Sequence, residues 1–185
     1  FEHHHLISEP VLAWLKETLL PGQSVALDGR VVTYRFFKTV EAELCDLGIT
    51  LQALTHNLID DIWTDRPAAL MSPAILLSEA YSGESSTSKR SRVAESLKAA
   101  GADAAIISQL DSIAWLLNIR GNDVPHLPVL LSQSILLSDG TQHLFIDPAK
   151  IPDGFTEHVG KSVFVHDAAD FSGFLERYGA QQPSI

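Results

Sequence analysis

A strand–helix–strand pattern with short connections constrains this chain most. Val25-Ala26-Leu27 reads as a short buried strand that ends at the turn Asp28-Gly29. Phe36, Val40, Leu44 and Leu47 then recur at helical spacing, Gly48 sits where a left-handed C-cap belongs, and Ile49 to Leu54 alternates apolar with polar residues as a strand does. Connections this short favour a parallel pair joined by a right-handed crossover. A chain built on such a unit is α/β.

The flanking segments repeat the alternation. Ser8 is expected as the N-cap of a first helix, with Glu9 and Pro10 in its first turn and Val11, Leu12, Leu15 and Leu19 on one apolar face before Pro21-Gly22 stops it. The stretch from His56 to Ser86 is less regular, with two helical turns over Asn57 to Trp63 and breaks at Pro67 and Pro73. It is the best internal boundary, but composition does not shift across it, so one domain over 1–185 is expected, with a possible tag or linker at 1–6. Beyond it, the spacing predicts a helix from Thr87 to Gly101. Ala104 to Ile107 reads as a strand buried on both faces. Leu110 to Leu117 reads as a helix with Trp115 as a core anchor. Asp139-Gly140 marks a hairpin turn between Val129–Leu137 and Gln142–Ile146. A strand at Ser162–Val165 and a helix at Asp170–Tyr178 follow.

Composition narrows the class of function. The chain has 185 residues, 45% of them hydrophobic, enough to build a core without staples. Its formal charge of −10 repels phosphate backbones, which argues against nucleic acid. No apolar run approaches the ~20 residues of a membrane span. A single cysteine and no recognisable export signal fit the cytoplasm. The absence of an initial methionine suggests a piece of a longer protein. His3-His4-His5 reads equally as native sequence or as a tag remnant, and would bind nickel or zinc only adventitiously.

No nucleophile elbow, phosphate loop, dinucleotide fingerprint or His-Glu-x-x-His string occurs. Cys45, beside Glu43 and Asp46, is expected to be structural and buried, because acidic neighbours disfavour a thiolate. His56 and Asp60 would share a helix face at i, i+4, but two donors are too few for a metal site, and a first-turn acid pair favouring the helix dipole explains Asp60 and Asp61 as well. The richest segment is Asn118 to Pro128, which gathers Arg120, Asp123 and His126 between Gly121 and two prolines, Pro125 and Pro128. Either Arg120 and Asp123 pair to fasten the loop, or the three groups face a ligand.

At this segment the chain resembles a known family. The run Leu110-Asp111-Ser112-Ile113-Ala114-Trp115-Leu116-Leu117-Asn118-Ile119-Arg120-Gly121-Asn122-Asp123-Val124-Pro125-His126 is similar to the signature of the three-domain Xaa-Pro aminopeptidases (aminopeptidase P). Asn57 to Pro67, Tyr81-Ser82-Gly83-Glu84 with Lys89 and Arg92 downstream, and Gly101-Ala102-Asp103 agree in the same order. The resemblance implies a creatinase/prolidase N-terminal fold, a mixed β-sheet with helices on both faces, and identifies the chain with the family's middle domain. It implies a parent metallopeptidase that removes the residue preceding a proline, using two divalent ions, Mn²⁺ or another metal, in a later domain. The strings that carry the family's metal ligands do not occur here, so no catalytic, cofactor or metal residue carries over, and the chain alone is expected to be inactive. Its expected partners are the neighbouring domains, the parent's peptide substrate and a second copy in a homodimer. Arg120, Asp123 and His126 are the substrate-entrance candidates, with Asp123 attracting the peptide's ammonium. The alternatives are an interaction or dimerisation module that never touches substrate, and an autonomous hydrolase working through the Arg120–His126 loop.

Overall fold

The computed structural model describes residues 3–68 and 71–181; Phe1 and Glu2 of the expected 1–6 tag or linker lie outside them. Packing divides the chain into two compact units, Phe1–Pro67 and Ala68–Ile185. The break between them falls inside the 56–86 stretch, where the sequence offers its best internal boundary. Composition could not mark it, because both units are ordinary α/β sequence.

The first unit contains α1 (Val11–Thr18), β1 (Ser24–Asp28), α2 (Tyr34–Cys45), β2 (Thr50–Leu54) and α3 (Leu58–Ile62). The two strands pair in parallel, Val25 opposite Leu51 and Leu27 opposite Ala53. Thr33 caps α2 by accepting from the Phe36 N–H. Val40, Leu44, Ile49 and Leu51 form the buried cluster, with Leu12, Leu15, Leu19 and Phe37 against it. Two details differ from expectation. α1 begins after Pro10, not Ser8, because a residue preceding proline is pushed out of the helical region, which excludes Glu9. Cys45, the last residue of α2, is exposed rather than buried.

The second unit contains β3 (Ile75–Leu76), α4 (Glu79–Ser82), α5 (Ser86–Ala99), β4 (Ala104–Ile107), α6 (Leu110–Leu117), β5 (Ile119–Arg120), β6 (Gln133–Leu137), β7 (Gln142–Phe145), α7 (Phe155–Val159), β8 (Val163–His166) and α8 (Phe171–Gln181), with short 3₁₀ turns at Pro148–Lys150 and Ala168–Asp170. The main sheet has the order β4-β6-β7-β8. The first two pairings are antiparallel and the last is parallel, so the sheet is mixed. Asp139-Gly140 makes the expected hairpin turn, with Gly140 at φ +88° and the Asp139 carboxylate accepting from the Thr141 N–H.

Strand alternation sorts the two faces. Leu144 and Val165 are register partners on one face, packed with Ile113 and Leu117 of α6 and Phe155 and Val159 of α7. His143, Phe145, Phe164 and His166 point the other way, where Phe171 and Phe174 of α8 meet Phe145 edge-on. Helices thus cover both faces. β4 is not buried on both faces as expected: it is an edge strand antiparallel to β6, and Ile106 is 59% exposed.

Candidate functional site

The segment 118–128 leaves α6 through a sharp change of direction. Asn118 caps the helix in the left-handed conformation at φ +52° while almost wholly buried. Asparagine tolerates that conformation because its short polar side chain bonds locally. Here it becomes a hub. Its Oδ1 accepts from Lys89 Nζ at 2.6 Å, its Nδ2 donates to the Glu84 carbonyl at 2.7 Å, and its own carbonyl lies 2.9 Å from His158 Nε2. Lys89 also donates to the Trp115 carbonyl at 3.0 Å and lies over the Trp115 ring. Burial pushes the Lys89 ammonium below its ordinary pKa, and Arg120 and Arg92 push the same way. The loop's root is thus tied to α5, α7 and the turn before α5.

Beyond the root, Gly121 lies so close to Leu130 that an added Cβ would meet its side chain at 2.3 Å. Asp123 is the loop's inner anchor. Its Oδ2 accepts from Lys150 Nζ at 2.6 Å and from the Leu131 N–H at 2.7 Å, and its side chain is 1% exposed. The expected pairing with Arg120 does not form. Arg120 instead sends Nη1 to the carbonyls of Ala114 and Ile119, at 3.1 and 2.8 Å. Asp123 is therefore not open to a substrate ammonium, because Lys150 already holds it. Nothing local in sequence signals that partner, 27 residues away.

The tip is a tight turn. Leu127 N–H donates to the Val124 carbonyl at 3.1 Å, with Pro125 and His126 in the central positions and His126 at φ +65°. That is the geometry of a type II turn, which needs positive φ at its third residue. The His126 residue is exposed, and residues 122 and 124–128 line an open depression of about 370 Å³. Of the three sequence candidates, Arg120 and His126 have exposed surface and Asp123 faces inward. Lys89, Asn118, Lys150 and His158, which hold the loop, were not singled out as site residues. Asn118, at a helix C-terminus, carries a local signal, and Lys89 lies in the family pattern.

Trp115 is not a core anchor: it is 42% exposed. Ile113, Leu116 and Leu117 take the buried face, and at ~100° per residue Trp115 points away from both Ile113 and Leu117. The Arg92 guanidinium lies 5.7 Å from its ring centroid, and Arg92 is paired with Glu84 at 2.9 Å. Arg92 and Ser88 hold the Glu84 carboxyl below its usual range.

The family string at 57–67 does different work. In the first unit Asn57 caps α3 by accepting from the Ile59 N–H, and Arg66 pairs with Asp60 at 2.6 Å while lying over Trp63. At the end of β1 the Arg30 guanidinium grips Asp28 with two bonds of 3.1 Å, holding the Asp28 carboxyl down at about 2. His56 precedes α3, so it does not align with Asp60. It faces Asp61 at 3.2 Å. Among the described residues, no group of three or more His, Cys, Asp or Glu is placed to hold a metal ion. The donor set here does not fit the two ions that the resemblance implies, and no helix of the described residues is long and apolar enough to cross a membrane.

The Creatinase/Prolidase N-terminal domain family matches residues 65–185, nearly the same span as the second unit. The chain is 37% identical to the Xaa-Pro aminopeptidase ApepP of Drosophila melanogaster over 147 residues, covering 79% of this chain and 24% of the fly protein. It is 30% identical to the Xaa-Pro aminopeptidase app-1 of Caenorhabditis elegans over 169 residues, covering 91% of this chain and 27% of that protein. The crystal structure of an X-prolyl aminopeptidase from C. elegans, described as a cytosolic enzyme with a di-nuclear active site, superposes with a TM-score of 0.82 at 30% identity, over 93% of this chain and 29% of that one. The chain spans about a quarter of the length of these relatives. It belongs to the creatinase/prolidase N-terminal domain family, in the form carried by Xaa-Pro aminopeptidases.

Proposed function

We propose that this chain is a non-catalytic part of a cytoplasmic Xaa-Pro aminopeptidase, shaping the entrance to an active site that lies elsewhere in the parent and packing against the neighbouring domains. The observation that carries this is the 118–128 loop, fastened inside by Asp123 and Lys150 while the His126 turn is exposed and Arg120 is half-exposed. A loop held this way meets a ligand without an ordering cost at each encounter. The parent's substrate would be a peptide with proline second, whose tertiary amide has no N–H for an ordinary peptidase to grip. Two divalent ions in the parent would activate water and polarise the carbonyl; no residue described here holds them. The second unit would be the creatinase-type middle domain, and the first unit part of a larger layer that the rest of the parent completes. A dimerisation role has one observation in its favour, the apolar side chains left open on the first unit.

The test is kinetic and uses the full-length parent. Arg120→Gln and His126→Ala are expected to lower kcat/KM for Xaa-Pro peptides while metal content stays unchanged. Unchanged kinetics on both short and long peptides would refute the entrance role. Peptidase activity in the 185-residue chain alone with Mn²⁺ would show that it is not a non-catalytic part.

A further inference from the structure

One face of the second unit gathers aromatic and apolar groups with Arg92 and the half-buried Arg120, above a buried Lys89. Trp115 on α6 and Ile75 on β3 are both substantially exposed. Ile75 is the register partner of Arg120, and register partners on paired strands present their side chains to the same side. Arg120 is held from behind, Nη1 bonding the Ala114 and Ile119 carbonyls. Its Nε and Nη2 take no protein acceptor among the described residues, and neither is a buried orphan. Lys89 and Arg92 lie 4.7 and 5.7 Å from the Trp115 ring, and Glu84, paired with Arg92, is the carboxylate among them. The patch is thus positive in a chain whose formal charge is −10.

We infer that the Ile75–Trp115–Arg120 face is a docking site for a carboxylate-bearing protein segment, an aspartate or glutamate seating on the open edge of the Arg120 guanidinium and its apolar neighbours on Trp115 and Ile75. A guanidinium presents two parallel N–H donors to a carboxylate. Tryptophan and arginine dominate interface hot spots, and this arginine is already fixed by its two carbonyls. The occupant is a segment of the same parent protein, because this chain is about a quarter of its relatives' length and most of such a protein lies outside it. The inference rests on the reading of the chain as part of a longer aminopeptidase. Its test reads binding rather than catalysis, so the two fail separately.

The 185-residue chain, labelled with ¹⁵N, is titrated with the peptide acetyl-Ala-Leu-Asp-Leu-Ala-amide and with its Asn twin. The Arg120 Nε–H and Trp115 indole N–H resonances are expected to move with the Asp peptide, and the Asn peptide to bind about tenfold more weakly, as loss of one charge-assisted pair gives. Arg120→Gln should abolish that discrimination, and Arg120→Lys should keep only part of it. Trp115→Gln leaves Arg120 in place. It should weaken both peptides several-fold and preserve their ratio, which guards against misfolding of the arginine variants. Equal shifts with both peptides, shifts centred away from this face, or self-association that moves the same resonances without peptide would each overturn the proposal.

Discussion

The two units use similar sequence to different degrees of completion. Among the described residues, sixteen of the twenty buried apolar side chains lie in the second unit, on both sides of a four-stranded sheet. Thirteen of the twenty-one exposed large hydrophobics lie in the first, around a two-stranded parallel sheet. Parallel strands normally occur inside sheets covered on both faces, and two strands alone are marginal in water. The difference teaches that the second unit buries its own core, whereas the first presents faces suited to being covered by other protein.

The largest effects should separate the units. Phe145→Ala removes a fully buried ring that joins β7 to α8, and about 3–5 kcal/mol of stability should be lost from the second unit. The first unit's transition, followed by amide exchange at Val25 to Leu27, should not move. Loss in both units together would break the comparison. Lys150→Met leaves the Asp123 carboxylate buried without its cation. Removing one partner of a buried pair costs about 3–5 kcal/mol, somewhat less here because Asp123 keeps the Leu131 N–H. An unchanged urea midpoint would show that the pair is solvated.

Acid should act on the two units in different windows. His143 lies 2.9 Å from His166, and burial first, then the His166 charge, lower its pKa from 6.5. A lowered histidine means the unfolded chain binds the proton first. The second unit is therefore fully stabilised above ~6.5 and loses that contribution as the pH falls through the lowered value. In the first unit, Asp28 contributes above its ordinary 3.8, and that contribution is lost as the pH falls from there through about 2. Melting temperatures measured per unit from pH 7 to pH 3 should fall first in the second unit. His143→Phe should flatten that early fall, and the reverse order would contradict the assignment. The smallest effect belongs to Trp115→Ala, expected to cost only about 1 kcal/mol, since an exposed ring loses chiefly its cation–π contacts.

Local rules made much of this legible. The crossover at 25–54, the Asp139-Gly140 hairpin and the α6 boundaries follow from period, turn chemistry and caps, and the family strings brought in the sheet class. The exposure of Trp115 is readable from spacing, because Ile113, Leu116 and Leu117 define the buried face and the ring lies off it. What could not be read depends on distant pairing. Nothing near Asp123 announces Lys150, nothing near His143 announces His166, and the edge position of β4 follows from β6 closing against it. The break after Pro67 has no compositional mark, since it is set by which side chains find partners.

Native-state amide exchange of the 185-residue chain tests most directly whether the 118–128 segment is an outward turn on an internal anchor. The Leu131 N–H, bonded to Asp123, and the Gly121 N–H, bonded to the Pro128 carbonyl, should exchange as slowly as Leu144 in the core, while His126 at the turn exchanges rapidly. Asp123→Ala should release Leu131 and leave His126 as it was. Leu131 exchanging as fast as His126 in the unaltered chain would contradict the anchor, and with it the preformed loop on which the entrance role depends.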